Sequence, residues 1–338
     1  MPAVGYNFSR ILVFCEAFVK NITKGHMSSM DKQATINPKL AIPLGILAVS
    51  TSSIFIRYAQ ESASSVVIAA YRLSIATIIL LPIAIWKYKD ELKAVRRKEL
   101  GLAAISGFFL ALHFATWITS LEFTTVASSV VLVSTSPLWV ALISKYTLKE
   151  SLQRNVLVGL VIALAGSAVV GIADSCISVG GALQCPPLSE FIQGDAFYGD
   201  LLALAGAIAA AGYLLIGRNL RANMSLIPYV FLVYGFSAIV LIAIAFQSGQ
   251  AAFGYPDSFY WWVFLVAVIP QLLGHSTFNW ALRHLPATYV SITLLGEPIG
   301  STILAILLLS EVPSPAKLFG AILILAGIIL ASRQNKNT

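Results

Sequence analysis

Apolar residues in this chain come in long unbroken blocks, separated by short polar connections. Ten blocks run, to within a few residues, over about 40–58, 66–86, 100–120, 124–146, 154–172, 196–217, 227–246, 259–281, 285–310 and 315–332. About 20 apolar residues in a helix span the hydrocarbon core of a bilayer, so the blocks predict ten transmembrane helices. A membrane β-barrel would show alternating segments of about 10 residues, and the chain has none. The fold class is an all-α membrane protein. Two connections stand out by length: the basic stretch Lys87 to Glu99 and the acidic stretch Asp174 to Asp195.

The blocks repeat. Thr124 to Glu150, TTVASSVVLVSTSPLWVALISKYTLKE, matches Leu285 to Glu311, LPATYVSITLLGEPIGSTILAILLLSE, at an offset of 161 positions (137 to 298, 150 to 311). Pro137 falls on Pro298, and Glu150 on Glu311. Gly159 and Gly166 fall on Gly320 and Gly327, Leu121 on Leu282, and Arg57 on Arg218. With a further shift of two, Tyr71 and Ser74 fall on Tyr234 and Ser237. Each half holds five helices. An odd number sends the second half into the membrane from the opposite side, giving an inverted repeat with a site expected near the midplane between the halves. The expected organisation is a tail over 1–38, a first repeat over 39–173, an external loop over 174–195 and a second repeat over 196–333.

Composition agrees. Of 338 residues, 58% are hydrophobic and 11% charged, against about 25% charged in soluble domains. The net charge of +7 does not point to nucleic acid, because the basic residues flank the blocks. Lys87, Lys89, Lys93, Arg96, Arg97, Lys98, Lys145, Lys149, Arg154, Arg218, Arg221, Arg283, Arg333 and Lys336 fall on one side, and Arg57 and Lys317 on the other. The excess of Lys and Arg marks the cytoplasmic side, which puts both termini inside a multi-pass protein of the cytoplasmic (inner) membrane. The loop holding Cys176 and Cys185 then faces outward, where a disulfide is permitted, though spacing alone does not decide it. With Cys15 these are all the cysteines, and neither a CxxC nor a Cys/His cluster suggests a metal or cofactor. Residues 1–38 read as a disordered tail, or as an overextended start ahead of Met27 or Met30, more than as an interfacial helix, and carry no clear signal peptide.

The duplicated pattern of a short turn, a mid-block Pro and a closing acidic residue resembles the drug/metabolite transporter superfamily, and within it the EamA-type ten-helix permeases. Arg72 in AAYRLSIA is similar to the arginine these proteins carry in the second helix. The resemblance covers about 40–332 and is specific for the superfamily but not for a substrate. It implies a transporter of small organic solutes, often an exporter of amino acids or other metabolites, with a central cavity among helices 1, 3, 4, 6, 8 and 9.

Glu297 leads the candidate residues. A carboxylate at membrane depth costs several kcal/mol, about 3 at the low end, and its repeat mate is Ser136. It reads as a partner for a substrate ammonium or as a protonatable coupling site; the alternative is a protonated Glu bonded to a neighbouring helix, as EamA-type helices often carry Glu before this Pro. His113 and Trp117 share a face one turn apart, as do His275 and Asn279; both pairs suit a cavity wall, or else interhelical hydrogen bonds. Tyr213 is expected to reach the same space. Arg72 can face an anionic substrate group, but a short path to the outer surface favours backbone pairing or snorkelling. Ser134, Thr135 and Ser136 are expected to bond carbonyls freed by Pro137. Glu150 and Glu311 are expected to cap the following helices, Arg57 and Arg218 to suit C-terminal dipoles, and the paired glycines to allow close helix packing.

No HExxH, GxSxG, P-loop or paired-carboxylate motif occurs. The expectation is therefore a non-enzymatic secondary transporter working by alternating access, with no cofactor. Its expected partners are a small solute, the lipid bilayer and a coupling proton, without nucleic acid, as monomer or homodimer. A solute channel is the second reading, and a membrane enzyme acting on lipid the third.

Overall fold

The computed structural model describes residues 38–148, 154–175, 177–179, 182–184, 187–285, 290 and 293–332. Cys176, Cys185, Glu150 and the tail lie outside these residues, so the readings placed on them have no structural counterpart.

Helices stand at all ten predicted blocks. They are α1 (Pro38–Ser50 and Ser52–Gln60), α2 (Ser65–Lys87), α3 (Arg97–Phe123), α4 (Val126–Val133 and Ser136–Leu148) and α5 (Arg154–Ser175). The second half gives α6 (Asp195–Arg221), α7 (Leu226–Gln247), α8 (Asp257–Val266, Ala267–His275 and Ser276–Ala281), α9 (Gly296–Leu309) and α10 (Pro315–Ser332). Among the described residues seven helices, α1–α4 and α6–α8, are long and apolar enough to cross a membrane; α5, α9 and α10 contribute shorter apolar helices. Their outward side chains are themselves apolar, as at Leu47, Ile78, Ile239, Leu307 and Ile322, which suits lipid as the surrounding solvent. Two features were not expected. The 174–195 connection contains a two-stranded antiparallel hairpin, β1 (Ile177–Val179) with β2 (Ala182–Gln184), and the basic connection folds into a short helix, Lys89–Ala94.

Packing follows the repeat. The principal contacts are α3 with α6, α5 with α10, α1 with α8, α2 with α7, α4 with α6, α3 with α7, α1 with α9 and α2 with α8. Replacing each helix by the one five places along returns the same set, as a two-fold relation between the halves requires. The offset reappears at single atoms. Gln60 of α1 donates to the Ile118 carbonyl at 2.9 Å, and Arg221 of α6, 161 positions on, donates to the Asn279 carbonyl at 3.0 Å. Gly45 lies against Thr277 and Phe278, and its mate Gly206 against Thr116 and Trp117. Small residues let these backbones approach closely, which matters because hydrocarbon supplies no hydrophobic drive between helices.

The tightest approach of backbone to backbone is α5 on α10. A carbon added at Gly166 would lie 2.7 Å from the Gly320 carbonyl oxygen, and one at Gly327 would lie 2.5 Å from that of Gly159. These four glycines are the two duplicated pairs read from the sequence.

Three helix starts are closed by carboxylates from distant parts of the chain. Ser65 N donates to Glu122 at 3.0 Å, Ser225 N to Glu91 at 2.7 Å, and Val126 N to Glu311 at 2.9 Å. The last contact corrects the expectation that Glu311 caps α10. The first turn of α10 is closed instead by Ser314, whose hydroxyl accepts from Lys317 N at 3.3 Å. Glu311 also pairs with Arg57 at 2.7 Å, and Arg57 donates to the Leu121 carbonyl at 2.6 Å. Left-handed Ser310, at φ 57°, ends α9 just before Glu311. Arg57 therefore ties the repeats together at one end of the bundle, beyond any effect on the dipole of its own helix.

Gly166→Leu and Gly327→Leu are expected to destabilise the protein by about 1–3 kcal/mol each through overpacking. The same change at Gly101, which has no neighbour within 4 Å, should leave thermal unfolding in detergent nearly unchanged. Equal loss at all three positions would remove the α5–α10 seam as the cause.

Candidate functional site

The site is built where two helices stop and restart. α4 ends at Val133 and resumes at Ser136–Pro137. In α9, Val290 and Thr293 are helical, Leu294 and Leu295 form a turn, and the helix resumes at Gly296–Glu297–Pro298. Each proline thus sits in a first turn, where its missing N–H removes no helical hydrogen bond, so neither acts as a mid-helix kink. The hydroxyls before Pro137 do not meet the carbonyl it frees: Ser134 donates to the Val130 carbonyl at 2.7 Å and Thr135 to that of Leu132 at 2.8 Å, and both carbonyls also accept backbone N–H groups. Irregular backbone of this kind persists at membrane depth only against protein or a cavity.

A cavity lies at both breaks, with about 630 Å³ of space between atoms, its mouth included. His113, Trp117, Ser136, Tyr213, His275, Asn279 and Glu297 all line it, with apolar walls from Val133, Leu214, Phe278 and Leu294. The first five helices and the second five both contribute. The His113 ring stacks on Trp117, with centroids 5.9 Å apart and planes at 8°. Its Nδ1 donates to the Gly206 carbonyl at 3.0 Å; a carbonyl can only accept, which fixes the proton on Nδ1 and leaves Nε2 as an acceptor in the neutral ring. Phe114 and His275 are repeat mates, 161 positions apart, and their rings meet at 5.4 Å. Equivalent positions that touch each other lie at the two-fold relation itself.

On one wall runs a hydrogen-bonded chain. Tyr213 donates to Asn279 Oδ1 at 2.6 Å, Asn279 Nδ2 donates to the Tyr234 hydroxyl at 3.3 Å, and Tyr234 lies 3.3 Å from Ser276 Oγ. Glu297 is the second residue of its helix, where the partial positive charge of the N-terminus favours a carboxylate.

The model of the EamA-like transporter family matches the chain twice, over residues 39–172 and 197–333. The chain belongs to the EamA-like transporter family. Among relatives of this family member, an uncharacterized transporter of Archaeoglobus fulgidus is 23% identical, over 87% of this chain and 97% of its own length. The pseudopaline exporter CntI of Pseudomonas aeruginosa is also 23% identical, over 88% and 98%. The uncharacterized transporter YyaM of Bacillus subtilis is 24% identical, over 78% and 83%. A solved crystal structure shares the fold, with a TM-score of 0.60 at 17% identity, covering 87% of this chain and 96% of the other.

Seven of the eight residues singled out in this EamA-like chain meet at the cavity. Arg72 does not line it and corrects a second expectation. It is fully buried and neither snorkels nor pairs with backbone. Its Nε donates to Gln271 Oε1 at 2.6 Å, its Nη1 to Ser52 Oγ at 3.0 Å, and its guanidinium lies 4.0 Å over the Phe114 ring. Arg221, expected among the topogenic residues, is also buried, bonded to the carbonyls of Asn279 and Met224. Gln271 and Tyr234 escaped attention as site residues. Gln271 had a visible signal, a polar residue inside the apolar run AVIPQLLGH, which forms a widened π turn in α8; such turns recur at functional sites.

Tyr213→Phe removes one buried hydrogen bond and leaves Asn279 Oδ1 without that donor. The expected cost is about 1 kcal/mol, read as a lowered unfolding midpoint in detergent. An unchanged midpoint would show that Tyr213 and Asn279 do not hold α6 to α8 through this bond.

Proposed function

We propose that this EamA-like membrane transporter is a secondary exporter of small organic metabolites, amino acids among them, across the cytoplasmic membrane. It works by alternating access, with both termini inside and the two five-helix repeats rocking about the central cavity. The observation that carries the reading is the cavity itself: it lies at both helix breaks, draws its walls from both repeats, and holds a carboxylate, two imidazoles and an amide on otherwise apolar walls. A mostly apolar pocket with a few placed polar groups is how small solutes are bound. The Pseudomonas aeruginosa relative, named as an exporter, supports the direction. The excess of Lys and Arg on one side supports the orientation. The sequence has no nucleotide-binding motif, which supports an ion gradient or the solute's own gradient as the driving force.

Counterflow in liposomes across a metabolite panel tests the reading. Saturable, trans-stimulated flux is expected; non-saturating conduction would mean a channel, and chemical conversion an enzyme.

Glu297 is assigned to the solute's ammonium group. Glu297→Gln keeps the shape, and a buried neutral amide costs less than a charge, so insertion and folding should stay close to wild type. Flux of amine-bearing solutes should fall at least about tenfold in kcat/KM, as for a buried charge pair that loses one member. Unchanged rate and affinity would make Glu297 a structural residue.

A further inference from the structure

The connections α2–α3 and α7–α8 hold equivalent places in the two repeats and are equally long, nine residues each over 88–96 and 248–256. They differ in everything else. Residues 248–256 carry no charged side chain and form no helix. The first connection folds into the helix Lys89–Ala94. With its flanking turns it presents Lys87, Lys89, Lys93, Arg96, Arg97 and Lys98, all of them exposed. Marking the cytoplasmic side takes such charges, but it does not need them on a folded, fixed element.

This element is fixed. Leu92 and Val95 pack onto the apolar core, and Glu91 accepts from Ser225 N at the start of α7 at 2.7 Å. Lys89 and Lys93 are one turn apart and share an exposed face. Of the three acidic residues in 87–99, Glu91 is turned onto Ser225 and Glu99 onto Arg96, so the cations outweigh exposed Asp90. Just ahead, Trp86 stands 85% exposed at the end of α2, where tryptophan marks the headgroup level of a bilayer. Several cations held together at that level attract anionic lipid phosphates. The clamp also leads inward. Beside Ser225, the Met224 carbonyl accepts from Arg221, and Arg221 Nε donates to the carbonyl of Asn279 at 3.0 Å, a residue that lines the central cavity.

We propose that the α2–α3 connection is a docking surface for anionic phospholipid headgroups, and that docking braces the Glu91–Ser225 clamp and with it the α6–α8 wall of the cavity. The cytoplasmic leaflet as its place rests on the orientation given above; the binding chemistry does not.

The test uses the full-length protein in bilayers of phosphatidylcholine with about 30% phosphatidylglycerol, one lipid or the other brominated in both leaflets. Bromine quenches nearby tryptophan, and the difference between wild type and Trp86→Phe isolates the Trp86 signal. Molecule for molecule, brominated phosphatidylglycerol should quench Trp86 at least about threefold more than brominated phosphatidylcholine. The preference should vanish in the triple variant Lys89→Gln, Lys93→Gln, Arg97→Gln. It should persist in Arg154→Gln, Arg218→Gln, Arg283→Gln, which removes as many exposed charges from the side rich in Lys and Arg. Because the first triple variant can fail to insert, wild type is also measured in about 0.5 M salt, where screening should remove the preference.

Equal quenching by both lipids, a preference that survives in the first triple variant or in salt, or equal loss in both triple variants would overturn the docking surface. The brace is read separately. Phosphatidylglycerol should raise the thermal unfolding midpoint of wild type by about 2 °C or more, and that of Glu91→Gln by less than about half as much. An equal gain in Glu91→Gln would overturn the brace. Both leaflets hold both lipids, so an inverted orientation would move the surface to the other side and leave these outcomes unchanged.

Discussion

In hydrocarbon no water is available to satisfy a backbone N–H or carbonyl, so every break in a helix must be answered by protein or face a cavity. The arrangement of this bundle follows from that constraint. α4 is interrupted at Ser134–Thr135, and α9 at Leu294–Leu295, beside the same space. Hydroxyls of Ser134 and Thr135 return hydrogen bonds to carbonyls of their own helix, and the prolines occupy first turns. At the ends of the bundle the carboxylates Glu91, Glu122 and Glu311 each close the start of a helix from elsewhere in the chain.

Symmetry supplies the container and asymmetry supplies the chemistry. Close glycine contacts, the paired bonds Gln60 to Ile118 and Arg221 to Asn279, and the meeting of Phe114 with His275 all obey one offset. Such contacts fix backbone distances and can be copied without cost to function. The charged groups break the pattern. Glu297 and its repeat mate Ser136 both line the cavity, and Arg72, outside the lining, has glycine as its mate. Two identical halves would give a cavity with matching ends; a carboxylate from the second half alone gives it a polarity.

The sequence by itself determined the ten helices, the duplicated halves and most of the cavity lining. Hydrophobic blocks report burial in lipid directly, and the offset of 161 positions reports which residues share an environment. His113 with Trp117 and His275 with Asn279 were legible because helical spacing puts each pair on one face, and Glu297 because a carboxylate inside an apolar block needs a reason to be there. Only the tertiary structure decided the rest. It showed that Arg72 is held by Gln271 and Ser52 instead of reaching the surface, that Glu311 closes α4 and not α10, and that Pro137 and Pro298 open helices instead of bending them. A long side chain can choose among several neighbours on different helices, and spacing along one chain carries no information about which helix lies opposite. That choice is made by packing, where the donors and acceptors of all ten helices have to be satisfied together.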